Sequence, residues 1–337
     1  MHALPAIREI ESVTPERFRE ELVSGYTPVV MRGLVRDWPA VAAGGESVDA
    51  LFAHLAGFDR GAPAEAFVGP PGIRGRFFYS DDLRGFNFER RRGGFGELLR
   101  YLRSLIGRED APAVYAGAVE TPTTLPGFAE ANPMPLLAGL NATPRIWVGN
   151  ASTISTHFDA SDNVACVAAG RRRFTLFPPD QVHNLYVGPL DRTVAGQPVS
   201  MVELNDPDFD RYPRFREALA AAQRAELEPG DAIFIPALWW HQVEASGTFN
   251  VLVNYWWEDS PDAAARIDAM VHAVLTVSHL PPARREAWAA MFDTFVFKRR
   301  GEPAAHLPPE HRSVLGEPTP RLRDYIRAYL MRGLQRP

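Results

Sequence analysis

Short, nearly continuous apolar runs dominate the middle of the chain, and helical spacing takes over towards its end. Val164 to Ala169 is one such run, closed by Gly170, and Ala232-Ile233-Phe234-Ile235-Pro236 is another. Apolar runs of this length, bounded by turn residues, read as buried β-strands. Pro229-Gly230-Asp231 is the turn signal ahead of the second run. Ala113 to Gly117 predicts an earlier strand and Phe249 to Trp257 a last one. Strand side chains alternate between faces, so one member of each pair Trp239-Trp240 and Trp256-Trp257 is expected to face inward. The segments have the lengths a small β-barrel uses.

Helices flank this region. Thr14-Pro15-Glu16 combines a capping hydroxyl, a first-turn proline and an acid at the positive end, and Phe18 and Leu22 form the buried stripe of the helix it starts. Gly96 to Ile106 predicts another helix. Between them, residues 57–96 are rich in Gly, Pro and Arg with interleaved aromatics, fitting either irregular strands or a mobile covering loop. Thr121 to Pro144 carries five prolines and resists regular assignment. From Ser260 onward Ile267, Met270, Val271, Val274 and Leu275 recur at three- and four-residue spacing. Pro281-Pro282 separates that helix from one bearing Trp288, Met291, Phe292 and Phe295. A last helix, Thr319 to Leu334, aligns Leu322, Tyr325, Ile326, Tyr329 and Leu330. The expected division is therefore a β-rich core with N-terminal decorations over residues 1–259 and a helical region over 260–337.

Composition narrows the class. A length of 337 residues, 46% of them hydrophobic, suffices for one large β-core with a helical appendage. Cys166 is the only cysteine, which excludes an intrachain disulfide or a Cys-rich zinc site. No apolar run approaches a membrane span, and residues 1–25 lack the apolar stretch of a signal peptide, so no membrane partner and a cytoplasmic location are expected. All basic residues except Lys298 are arginines, yet the net charge is −5 and the isoelectric point about 6.0. Nucleic acid is not an expected partner.

The candidate chemistry lies at His157-Phe158-Asp159. Residues one apart in a strand share a face, so His157 and Asp159 can offer a nitrogen and an oxygen to one metal. His241, delivered by a partner strand, completes a two-His-one-carboxylate face with open positions, the arrangement of non-haem Fe(II) oxygenases.

The surrounding motifs carry a resemblance. Thr156-His157-Phe158-Asp159, Gly170 to Asp180 (GRRRFTLFPPD), Pro229-Gly230-Asp231, Ile235-Pro236 and Trp239-Trp240-His241 resemble the JmjC/cupin-8 family of 2-oxoglutarate-dependent oxygenases, its asparaginyl hydroxylases in particular. The likeness is densest from about Trp147 to Trp256. It implies a double-stranded β-helix of the cupin or jelly-roll type, mainly β with N-terminal helical decorations and a C-terminal helical region that forms a homodimer. It implies Fe(II), 2-oxoglutarate and O2, with His157, Asp159 and His241 on the metal. Aligned on His157, the family lysine that grips the distal carboxylate of oxoglutarate falls on Arg172, which can bind a carboxylate bidentately. Asn163 and Asn254 match two family asparagines, and Tyr115 a tyrosine. The family threonine falls on Ile154, which lacks a hydroxyl; Thr153, Ser155 and Thr156 are the neighbouring candidates, and Thr156 is counted among the co-substrate contacts.

The implied reaction hydroxylates a C–H bond of a protein side chain, an amino acid or a small metabolite and releases succinate and CO2. Demethylation follows where the hydroxylated carbon is attached to nitrogen. Two other readings keep the same barrel: a non-catalytic metal-binding cupin that binds a small molecule or partner protein, and a cupin enzyme that works without oxoglutarate.

Overall fold

The computed structural model describes residues 4–335. The chain divides into two compact units, Met1–Ala263 and Ala264–Pro337. Twelve strands build the first: β1 (Glu9–Ile10), β2 (Val29–Met31), β3 (Pro63–Gly69), β4 (Arg76–Phe77), β5 (Glu89–Gly94), β6 (Ala113–Glu120), β7 (Thr143–Gly149), β8 (Ser152–His157), β9 (Asp162–Phe177), β10 (Gln223–Leu227), β11 (Ala232–Ile235) and β12 (Trp240–Trp257).

Two long strands, β9 and β12, generate the architecture by pairing twice. Their outer lengths pair Asp162 with Trp257 through Ala169 with Val251, and here the neighbours are β11 and β7. The major sheet then runs β1-β2-β11-β9-β12-β7-β6-β3-β5. Their other lengths pair Arg171 with Ser246 through Phe177 with Trp240, flanked by β10 on one side and by β8 and β4 on the other. Between the two lengths the register shifts, and both strands bend. Gly170 makes its bend at φ +74°, where an added Cβ would meet Asn250 Oδ1 at 2.0 Å, so only glycine fits. The two halves face each other, and side chains from both enclose one cavity. This is the expected jelly-roll of mainly β structure with helices.

The outer face of the major sheet is covered by helices. α1 (Pro15–Arg17) starts at Thr14, whose side chain accepts from the Arg17 N–H, and runs into a π-helical turn, Phe18–Val23. Phe18 and Leu22 are buried as the spacing predicted; Phe18 sits edge-on to Phe234 and Trp257. α2 (Pro39–Glu46), α3 (Val48–Phe58) and α4 (Phe95–Leu105) bury Leu51, Leu55, Phe95, Leu99 and Leu102 in the same cluster. The proline-rich stretch after β6 forms two single turns, α5 (Thr121–Thr124) and α6 (Phe128–Ala131). Residues 57–96 resolve into the end of α3, the strands β3 to β5 and the start of α4. A further helix, α7 (Phe215–Ala221), precedes β10.

The Pro229-Gly230-Asp231 turn works through its acid. Asp231 accepts from Gly33 N–H and Glu228 N–H and pairs with Arg32 at 2.6 Å, tying β11 to the loop after β2.

The second unit contains α8 (Arg266–Val277), α9 (Pro282–Phe295) and α10 (Pro320–Leu334). No described residue of these three helices is buried. Met270, Leu275, Trp288, Met291, Tyr325, Tyr329 and Leu330 are all exposed. No helix among the described residues is long and apolar enough to cross a membrane.

Candidate metal centre

β8 and β12 lie side by side with His157 directly opposite His241. The strand alternation that aims both rings into the barrel also brings Asp159, just past the end of β8, to the same place. One ligand atom from each of the three lies within 4.8 Å of the others. His241 Nε2 is 3.7 Å from Asp159 Oδ2, a separation two ligands of one ion about 2.1 Å from each would have.

The second nitrogen of each imidazole is already engaged. His157 Nδ1 lies 2.9 Å from the Ser155 carbonyl and His241 Nδ1 lies 2.9 Å from the Trp239 carbonyl. A carbonyl can only accept, so each Nδ1 carries the proton and each Nε2 keeps its lone pair for a metal. Burial above all, with the neighbouring His157 acting in the same sense and Asp159 opposing, lowers the His241 pKa to about 4. The ring is therefore neutral at physiological pH, as a ligand must be.

The triad opens on a cavity walled by both sheets. From the major sheet come Tyr115, Trp147, Asn163, Asn254 and Trp256; from the other half come Ser152, Ile154, Ser155, Arg172, Phe174 and Val243. Arg172 is 4% exposed, and its Nη1 has no hydrogen-bond partner. Its neighbours in sequence behave differently: Arg171 pairs with Glu228, and Arg173 with Glu226 and Glu244, at the surface. Burial lowers the Arg172 pKa to about 10 while Tyr115 opposes the shift. Burial also pushes the Tyr115 hydroxyl well above its ordinary range, so it stays protonated and able to donate.

Unsatisfied polar atoms concentrate here. Six buried side-chain atoms lack partners among the described residues, and those of Ser155, Asn163, Arg172 and Trp256 belong to the walls of this one cavity. Buried polar groups are ordinarily satisfied. A cluster combining a cation, donors and an acceptor is what a polar ligand complements.

Most of the residues singled out in the sequence meet in this cavity: His157, Asp159, His241, Arg172, Tyr115, Asn163 and Asn254. Asn254 accepts from the Trp147 indole at 2.7 Å, and the Asn163 amide approaches Asp159 Oδ2 at 3.5 Å. Thr156 does not join them. The stretch Ile154 to His157 opposes only Val243 to His241, a bulge of one extra residue in β8. The bulge brings Ile154 and Ser155 to the cavity as consecutive residues, while Thr156 is buried away from its walls. Strand alternation from His157 by itself turns Ser155 inward and Thr156 outward; the bulge adds Ile154 to the cavity wall. Trp147, Phe67, Phe77 and the loop residues Val194, Gln197 and Val199 also line the cavity. The Trp256-Trp257 pair divides as alternation requires, with Trp256 on the cavity and Trp257 in the outer core, whereas neither Trp239 nor Trp240 lines the cavity.

The cupin-like domain family matches residues 15–263. Among curated proteins, the chain is 37% identical over 115 residues to the lysine-specific demethylase JMJ31 of Arabidopsis thaliana, covering 34% of this chain and 20% of that protein. It is 33% identical over 150 residues to the tRNA wybutosine-synthesizing protein 5 of Mus musculus, 40% of this chain and 44% of the relative. It is 31% identical over 134 residues to human HSPB1-associated protein 1, 39% of this chain and 26% of the relative. The matched segments thus span less than half of each relative's length.

Proposed function

Because this chain belongs to the cupin-like domain family, we propose that it is an Fe(II)- and 2-oxoglutarate-dependent oxygenase that hydroxylates a C–H bond of a protein side chain, amino acid or small metabolite. The observation that carries the co-substrate is Arg172: a buried guanidinium with an unpartnered nitrogen, in the cavity that holds the His157–Asp159–His241 triad. A buried charge without a partner is costly, and a dicarboxylic keto acid supplies the missing anion. The donor set of two imidazoles and one carboxylate suits Fe(II).

Bound by the triad, Fe(II) would supply the redox chemistry in which O2 is reduced, oxoglutarate loses CO2 to become succinate, and the substrate carbon gains a hydroxyl. The chain's own residues do the rest. His157, Asp159 and His241 hold the ion and leave part of its coordination sphere open. Arg172 grips the distal carboxylate with two parallel hydrogen bonds, and the protonated Tyr115 hydroxyl donates beside it. Asn163 lines the cavity beside Asp159, and Asn254 lines it beside Trp147. Phe67, Phe77, Trp147 and Phe174 exclude water. The likeness to asparaginyl hydroxylases suggests the register of these contacts, with arginine in place of lysine.

The second unit is proposed to form a homodimer. Its helices expose large apolar side chains such as Leu275, Trp288, Met291 and Tyr329, and a two-fold contact would cover both copies at once.

Anaerobic titration tests the chemistry. A weak visible metal-to-ligand band is expected only when Fe(II) and oxoglutarate are present together. A band with neither partner's dependence on the other, or none at all, removes the oxoglutarate assignment. Incubation with cell extract and a search for a +16 Da product then identifies the substrate.

A further inference from the structure

Tyr26 and Leu238 both adopt the left-handed backbone region, at φ 49° and 65°. Bulky side chains rarely occupy it, and a turn with no other duty would place glycine there, as Gly170 and Gly230 do. Nor does packing explain the choice, since both residues are nearly half exposed, at 44% and 45%. Tyr26 is tied to both sequence neighbours of Leu238. The Tyr26 hydroxyl donates to the Ala237 carbonyl, and the Trp239 indole N–H donates to the Tyr26 carbonyl at 3.2 Å.

The inner side of the same turn reaches the metal ligands. The Leu238 N–H donates to the Asp159 carbonyl at 2.8 Å, and the Ala237 N–H donates to Asp162 Oδ1 at 2.9 Å. Two consecutive amides therefore hold both ends of the short connection between β8 and β9 that presents the Asp159 carboxylate. One residue on, the Trp239 carbonyl orients the His241 ring. Residues 237–239 thus touch two of the three ligands through backbone atoms alone, and Tyr26 braces them from outside the barrel.

We infer that Tyr26 and Leu238 form a bracket that sets Asp159 and His241 in place before the metal arrives, making them positioning residues for the centre. Strained backbone persists where its surroundings over-determine it, and here four hydrogen bonds do so. The inference rests on the triad being a metal site, and it adds how that site is preorganised. Groups that orient ligands from behind change metal affinity when lost.

The test uses Co(II) as a probe, followed by its visible absorption, alongside thermal melting of the metal-free protein. Tyr26→Phe removes only the hydroxyl bond and should weaken Co(II) binding about 3- to 10-fold. Leu238→Gly relieves the strained backbone, so its melting temperature should hold or rise while Co(II) binding weakens by a similar factor. Affinity falling as stability holds is a pattern that a merely structural role would not give. If both variants bind Co(II) as the parent does, within twofold, the bracket is structural only and the inference falls. Asp159→Ala separates the two levels: if it binds Co(II) as tightly as the parent, the metal centre itself is wrong and the bracket falls with it.

Discussion

Replacing Arg172 with methionine should make the metal-free protein more stable and its grip on oxoglutarate much weaker. The guanidinium is 4% exposed, and burial pulls its pKa more than two units below the ordinary arginine value, to about 10. At about 1.4 kcal/mol for each pH unit, holding the charge in the cavity costs the folded chain about 3 kcal/mol. Because the folded pKa is depressed, that cost is fully present below pH about 10 and disappears as pH rises beyond it towards the ordinary arginine value. Melting at pH 8 therefore reads all of it. Methionine keeps much of the length without the charge. Relaxation and water entering the emptied cavity reduce the gain to about 1–2 kcal/mol, a rise of roughly 2–6 °C for a unit of this size. Oxoglutarate loses a desolvated charge partner, about 2–4 kcal/mol, so anaerobic titration of the Fe(II) protein should need roughly 30- to 1000-fold more of it. Arg171→Leu and Arg173→Leu are the controls: they break surface pairs worth less than about 1 kcal/mol and leave the co-substrate midpoint unmoved. A lower melting temperature for Arg172→Met with an unchanged midpoint would refute the reasoning and make Arg172 a packing residue.

His157→Ala or Asp159→Ala should abolish oxoglutarate turnover with the fold intact by circular dichroism, since each removes one of three ligands; undiminished succinate production would sink the centre. Gly170→Ala forces a Cβ against Asn250 at positive φ and should destabilise by about 2–3 kcal/mol in urea unfolding; an unchanged midpoint would mean the bend tolerates a side chain. Tyr325→Asp with Leu330→Asp places charges on the exposed stripe of α10 and should split a dimer. Light scattering at micromolar concentration checks both states, and a one-chain mass for the parent would end the dimer proposal.

The metal ligands were legible because their signal is local. A His-x-Asp spacing at a strand end needs only the two-residue repeat of a strand to be read, and the Pro-Gly-Asp turn announces the strand pair leading to His241. Thr156 was misplaced because it was chosen for its hydroxyl beside Ile154, whereas strand alternation counted from His157 turns it away from the cavity and Ser155 towards it. The bulge that brings Ile154 inward as well depends on pairing between β8 and β12, and a single strand's sequence carries no record of its partner's register. Trp147 went unread for another reason: Ile146, Trp147 and Val148 are all apolar, since the major sheet is covered on both faces, and a run without alternation hides which residues face the cavity. Gln197 and Val194 lie in a loop, where no periodicity exists to read. That Arg172 lacks a carboxylate while Arg171 has one and Arg173 two is a three-dimensional fact about a triplet whose letters are identical.

The double pairing of β9 and β12 also bears on how the molecule comes into being. β12 pairs with β9 along both its lengths, with β8 beside one and β7 beside the other, and it carries His241 on the first and Asn254 on the second. Every one of those pairings is distant in sequence, so the loop-closure entropy is met before the contacts return it, which makes such topologies slow to fold. During synthesis the N-terminal helices and β2 emerge well before the strand that completes both halves of the barrel. Until β12 docks, the growing chain exposes the edges of β7, β8 and β9 and has no third ligand. A chain interrupted before that point would therefore be aggregation-prone rather than partly active, and capture of metal would mark the last stage of folding.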